Sequence, residues 1–145
     1  MTVKVGINGF GRIGRLVLRA MIESGRTDVE CVAINDLGSV EANAHLFKYD
    51  SVHGRFDGEV TVDGQNITIT RAGRTYGPIT VSAQRDPSQV PFQGVDVALE
   101  CTGIFTSKDK ASALLKAGAR KVIVSAPADD VDATIVYGVN HATLT

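Results

Sequence analysis

The segment Val3-Lys4-Val5-Gly6-Ile7-Asn8-Gly9-Phe10-Gly11-Arg12-Ile13-Gly14-Arg15 leaves few folds open, because an apolar strand runs directly into a glycine turn that opens a helix. Gly9, Gly11 and Gly14 fit the pattern G-x-G-x-x-G. The first glycine permits a tight turn, the second lets backbone approach a pyrophosphate, and the third lets the helix pack closely on the strand. An anion at that helix N-terminus meets unpaired N–H groups and the positive end of the helix dipole. A glycine triplet also occurs as a purely structural turn, and the flanks decide between the two. Residues 12–24 read as a helix stopped by Gly25, and Val29 to Asn35 read as a second strand ending at Asp36. That carboxylate stands 22 positions after Gly14. The spacing is close to the ~20 expected of an acid that accepts hydrogen bonds from a ribose diol. Asp36 would also repel a 2′-phosphate, and Leu37 offers no compensating charge, so NAD is expected rather than NADP.

A chain of 145 residues with 43% hydrophobic residues suffices for one domain with a proper core. Fifteen basic against 16 acidic residues give a net charge of −1, which offers no footprint for nucleic acid or an anionic membrane surface. Cys31 and Cys101 both lie in apolar, strand-like runs, so a disulfide scaffold or a zinc site is not expected and a reducing cytoplasm is. With the first strand starting almost at Met1, no signal peptide is expected, and no apolar run reaches the ~20 residues that span a bilayer.

Further along, Ser39 is placed to cap a short helix to Phe47, with Ala42, Leu46 and Phe47 on its buried side. Residues 48–56 read as polar and irregular. The period then changes to two over Glu59 to Asp63, Asn66 to Thr70 and Ile79 to Ser82, which predicts an inserted antiparallel meander with one wet face. Val95 to Glu100 resumes as a buried strand. Ser107 can cap a helix to Ala117, Lys121 to Ser125 reads as the next strand, and Ala133 to Val139 as the last. Buried strands alternating with helices predict an α/β, Rossmann-type doubly wound fold, its mostly parallel sheet covered on both faces. A dinucleotide would then lie across the carboxyl ends of the strands, where Gly9 to Gly14, Asp36, Cys101-Thr102-Gly103 and Ser125 fall.

Together these residues resemble the cofactor-binding half of the glyceraldehyde-3-phosphate dehydrogenase family. The resemblance rests on Asn8-Gly9-Phe10-Gly11-Arg12-Ile13-Gly14-Arg15, Ala33-Ile34-Asn35-Asp36-Leu37, residues 46–54 and Ser125-Ala126-Pro127, in that order and across essentially the whole chain. It implies contacts that spacing cannot supply. Backbone from Phe10 to Ile13 would meet the pyrophosphate, Asp36 the adenosine ribose, and Arg85 the adenine. Asn8, Leu37, Thr102, Gly103 and Phe105 would line the site, with Ser125 on the nicotinamide side. Gln84, Phe92 and Cys101 depart from residues common at their positions in the family, and none of the three is a contact relied on here.

The resemblance further implies a glycolytic, cytoplasmic enzyme, tetrameric at full length, that transfers hydride from a cysteine-bound aldehyde to NAD. Family members continue past Gly138-Val139-Asn140-His141 into a Ser-Cys-Thr-Thr-Asn segment bearing the catalytic thiol, which the sequence to Thr145 does not contain. The expectation is therefore that residues 1–145 are the NAD-binding domain, that the catalytic domain is absent from the chain, and that the chain alone is inactive. A stand-alone NAD-responsive module and the cofactor half of an erythrose-4-phosphate dehydrogenase remain as alternatives. Cys31 and Cys101 read as packing residues; His45, His53 and His141 show no ligand spacing, and Asp129, Asp130 and Asp132 lack the rest of a calcium loop. Arg15 and Arg19 read as a solvated or ion-paired helix face, whereas Arg12 sits where it could reach the site.

Overall fold

The computed structural model describes residues 2–50, 53–103, 111–125, 131, 133–135, 139–140 and 142. Strand alternation sets the centre of the fold. In β1 (Val3–Asn8), Val5 and Ile7 point to one face, while Gly6 points to the other, where a Cβ would come within 3.0 Å of the Phe92 ring. Two apolar clusters result. One gathers Ile7, Leu18, Ile22, Ile34, Phe47 and Ile69; the other gathers Ala33, Phe92, Val95, Ala98 and Leu114.

Helix α1 (Arg12–Glu23) follows the glycine turn, buries Leu18 and Ile22 one turn apart, and ends before Gly25 at a left-handed φ of +68°. After β2 (Val29–Asn35), the Ser39 hydroxyl accepts the Ala42 N–H at 3.0 Å and starts α2 (Val40–Lys48). The buried stripe of α2 is Val40, Asn43, Ala44 and Phe47, not the expected Ala42 and Leu46. Both sets have helical spacing. Phe47 is buried as expected, and the stripe centres on it, because its ring packs against Phe10 and Phe56 at centroid distances of 6.2 and 4.9 Å.

The stretch expected to be irregular contains a minimal antiparallel pair, β3 (Tyr49–Asp50) with β4 (Gly54–Arg55). The meander is present as β5 (Glu59–Asp63), β6 (Asn66–Arg71) and β7 (Arg74–Ser82), but β7 begins five residues earlier than its alternation suggests. Its first part pairs antiparallel with β6, and Thr80 to Ser82 pair parallel with Ala33 to Asn35 of β2. The meander is thus an edge of the main sheet. With β8 (Val97–Glu100), α3 (Ala113–Lys116) and β9 (Lys121–Val124), the sheet order is β5-β6-β7-β2-β1-β8-β9. Four of its six pairings are parallel, as a doubly wound fold requires. The chain leaves β1 in one direction through β2 and β7, then returns to its other side at β8. That reversal falls between β1 and β8, and in such folds ligands lie outside the carboxyl ends of the strands at this point. Of the expected last strand, Ala133, Thr134 and Ile135 carry no strand assignment, and 136–138 lie outside the described residues. So does the start of the helix expected from Ser107.

Arg19 is not on a solvated face. It is 4% exposed, donates from Nε to the Phe47 carbonyl at 3.2 Å and from one terminal nitrogen to the carbonyls of Lys48 and Gly54 at 3.0 and 2.8 Å, and lies over the Phe56 ring. A buried guanidinium thus clamps the end of α2 to β4. Arg19→Met keeps the apolar stem but removes these donors; the Lys48 carbonyl keeps the Phe56 N–H at 2.6 Å, and a carbonyl left without a partner costs about 1–3 kcal/mol where water cannot reach. Thermal melting of this variant is expected to fall by roughly 10 °C. Unchanged melting would show that the clamp contributes nothing.

Candidate functional site

The three motif glycines hold three different positions. Gly9 has a left-handed φ of +93°, and a Cβ on it would sit 2.7 Å from the Thr102 nitrogen, so the turns after β1 and β8 are in contact there. Gly14 is pressed onto the strand, where a Cβ would fall 2.3 Å from the Gly9 carbonyl oxygen. Gly11 is exposed, and a Cβ on it would meet no atom of the described residues within 4 Å.

Among the described residues no side chain caps α1, and Arg15 is the first residue whose N–H finds the helix's own carbonyl, that of Gly11 at 3.0 Å. The N–H groups of Arg12, Ile13 and Gly14 therefore lack an intrahelical acceptor. Asp36 stands beside this corner. Its Oδ1 accepts the Phe10 N–H at 2.9 Å and its Oδ2 accepts the Gly38 N–H at 3.0 Å, so the Phe10 amide is turned to Asp36. Each carboxylate oxygen retains a lone pair for a further donor. Leu37, 56% exposed, borders a shallow groove of about 390 Å³ lined by Gly38, Ser39, Val81, Ser82 and Ala83.

A second cavity, of about 150 Å³ among Leu18, Met21, Ile22, Cys31 and Tyr76, lies against the first residues of β2. Its position is the wrong one for this fold, whose ligands lie at the carboxyl ends. The residues at those ends fit a dinucleotide on two observations: open space over Gly11 at an uncapped helix start, and an acceptor-only carboxylate at the end of the next strand.

The Arg12 side chain does not turn into the corner. It pairs with Asp50 at 2.8 Å, and Asp50 also accepts the His53 N–H. Arg85 and Gly103 are exposed on loops, and Phe105 lies outside the described residues. Ser125 is exposed at the end of β9, its N–H donating to the Glu100 carbonyl at 3.0 Å. Neither cysteine is activated. Burial pushes the Cys31 thiol up to about 12. Burial also raises Cys101, against a hydrogen bond with Ser125, and the nearby Glu100 charge adds to the rise. A reactive thiol needs the reverse, a neighbouring cation or a helix start that favours thiolate.

Beneath the corner lies a polar layer that composition and period do not announce. Asn8, Asn35 and Glu100 are 2%, 3% and 1% exposed. Glu100 accepts the Asn8 amide at 2.7 Å and both the backbone N–H and the hydroxyl of Thr102. Asn35 donates to Asn8 Oδ1 at 2.8 Å. Asn8 therefore supports the turn from below, with both ends of its amide engaged in protein. The one sequence signal was an acid closing an apolar strand beside Thr102-Gly103.

The sequence model of the family described as glyceraldehyde 3-phosphate dehydrogenase, NAD binding domain, matches residues 3–108. The glyceraldehyde-3-phosphate dehydrogenase of Xanthobacter flavus is 67% identical over 147 residues, covering 100% of this chain and 42% of the relative. That of Cereibacter sphaeroides is 63% identical over 145 residues, with the same two coverages of 100% and 42%. Glyceraldehyde-3-phosphate dehydrogenase 1 of Bacillus subtilis is 54% identical over 143 residues, covering 97% of the chain and 41% of the relative. The chain thus spans about two fifths of the length of these relatives. Sheet order, glycine corner and match agree: the chain belongs to the glyceraldehyde-3-phosphate dehydrogenase family, as its NAD-binding domain.

Proposed function

We propose that this chain is the cofactor half of a phosphorylating, NAD-dependent glyceraldehyde-3-phosphate dehydrogenase, cytoplasmic and homotetrameric at full length. The observation that carries the reading is the open backbone at Gly11, at the uncapped start of α1 and beside Asp36. NAD, when bound, supplies the hydride acceptor. The N–H groups of Arg12 to Gly14 bind the pyrophosphate, Asp36 takes the adenosine ribose, and the groove beside Leu37 takes the adenine, with Arg85 beside it as the family resemblance implies. Thr102, Gly103 and Ser125 line the nicotinamide side. Binding energy gathered over these contacts orients the nicotinamide towards a thiol and aldehyde held by a catalytic domain. That thiol is neither Cys31 nor Cys101, because the first is buried and the surroundings of both favour the neutral form.

Calorimetric titration of the chain is expected to show NAD binding at least tenfold more tightly than NADP, about 1.4 kcal/mol. The same preparation, given glyceraldehyde 3-phosphate and inorganic phosphate, is expected to produce no NADH absorbance. Equal affinity for the two cofactors, or turnover lost in Cys101→Ser, would contradict the proposal.

A further inference from the structure

The buried polar layer under the glycine corner has a direction, and Glu100 sets it. A carboxylate can only accept, so the Asn8 nitrogen must face Glu100, at 2.7 Å, and the Asn8 oxygen must face away. That oxygen accepts from Asn35 at 2.8 Å, which fixes the Asn35 amide in turn. Every hydrogen-bonding position of Asn35 is then filled. Its nitrogen also donates to the Gln84 carbonyl at 2.9 Å, and its oxygen accepts the Ser82 hydroxyl and the Gln84 N–H, each at 2.8 Å. The line crosses the neighbouring strands β8, β1, β2 and β7 and ends on the backbone just before Arg85. At its other end, the Thr102 N–H and hydroxyl both converge on Glu100 Oε1.

We propose that Glu100 is a positioning residue whose acceptor-only carboxylate holds Thr102 directly and orients the Asn8 and Asn35 amides, and through them holds Gln84, keeping the turns after β8 and β7 in register. The placement of Gln84 rests on its two bonds to Asn35. The further claim that the placed segment serves the adenine rests on the function proposed above.

Substitution separates this orienting role from mere space-filling. In Glu100→Gln one oxygen becomes a donor nitrogen. Thr102 presents two donors and Asn8 one, so the remaining oxygen stays with Thr102 and the new nitrogen faces Asn8. Asn8 must then turn over, Asn35 must follow, and the mismatch emerges at Gln84 as donor against donor and carbonyl against carbonyl. Adding Asn8→Asp cures it. The carboxylate this places on β1 accepts from the new amide on β8 and from Asn35, restoring the original direction with the charge moved one strand over. Asn8→Asp alone sets two carboxylates face to face, so it is expected to be the least stable of the three variants.

The experiment is amide hydrogen exchange on the full 145-residue chain with NAD affinity measured in parallel. Exchange at Gln84 is expected to quicken about tenfold or more in Glu100→Gln and to return to within about threefold of wild type in Asn8→Asp/Glu100→Gln. NAD affinity should fall and recover with it. Unchanged Gln84 exchange in the single variant, or no recovery in the double variant, overturns the proposal. Should Glu100→Gln fail to fold, a folded double variant supports it and an unfolded one overturns it. A wild-type chain that binds no NAD would sink the cofactor reading alone, leaving the exchange result to decide this one.

Discussion

Gly14→Ala is expected to destabilise the chain by about 3–5 kcal/mol, enough to lower the melting temperature by roughly 10 °C or more or to prevent folding. The new Cβ falls 2.3 Å from the Gly9 carbonyl oxygen and 3.1 Å from Ile7. The first contact is with backbone, which cannot swing aside as a side-chain end could. Gly9 is itself held, its N–H donating to the Asn35 carbonyl at 2.7 Å and its Cα backed by the Thr102 backbone. Relief therefore requires α1 to move off the sheet and uncover Leu18 and Ile22. In an exposed helix interior the same substitution would gain about 1 kcal/mol of helix propensity. The sign of the change in melting, followed by circular dichroism, is thus decisive, and any stabilisation would contradict the packing described for this corner.

Gly11→Val is expected to do the opposite: leave the fold intact and remove cofactor binding. At φ −75° and ψ −161° Gly11 is in extended backbone that any residue adopts, and its Cβ direction is open. Stability should change by no more than ~0.5 kcal/mol, as at other unencumbered surface positions. The open direction is the space assigned to the pyrophosphate. A branched side chain there should weaken NAD binding at least a hundredfold, about 2.7 kcal/mol. Two glycines three residues apart thus separate folding from binding: one variant fails to fold well, the other folds and fails to bind.

The outline of the corner was legible in the sequence because its strand, turn and helix are local. Strand, turn and helix follow one another over residues 3–23, and the acid after β2 has a fixed spacing from them. Features that depend on two distant segments were not legible. The Glu100 to Asn8 bond joins residues 92 positions apart and exists only because Asn8 and Glu100 fall opposite each other in the parallel register of β1 and β8. Arg19 resembled an ordinary surface arginine, since nothing near it in sequence shows that the carbonyls of Phe47, Lys48 and Gly54 will converge on it. The strand read from the alternation of Ile79 to Ser82 extends back through Gly77-Pro78 to Arg74, where it pairs with β6. On α2 two stripes of equal spacing competed, and only the Phe10 and Phe56 rings settled which would be buried.

In the proposed binding mode the dinucleotide lies on the backbone of the glycine corner, with Asp36 at its ribose. Amide chemical-shift mapping during titration of the 15N-labelled chain with NAD tests it most directly. The largest shifts are expected at Gly11, Arg12, Ile13 and Gly14, with a second group at Asp36 and Leu37. Saturable shifts centred instead on Met21, Cys31 and Tyr76, around the cavity at the start of β2, would contradict it.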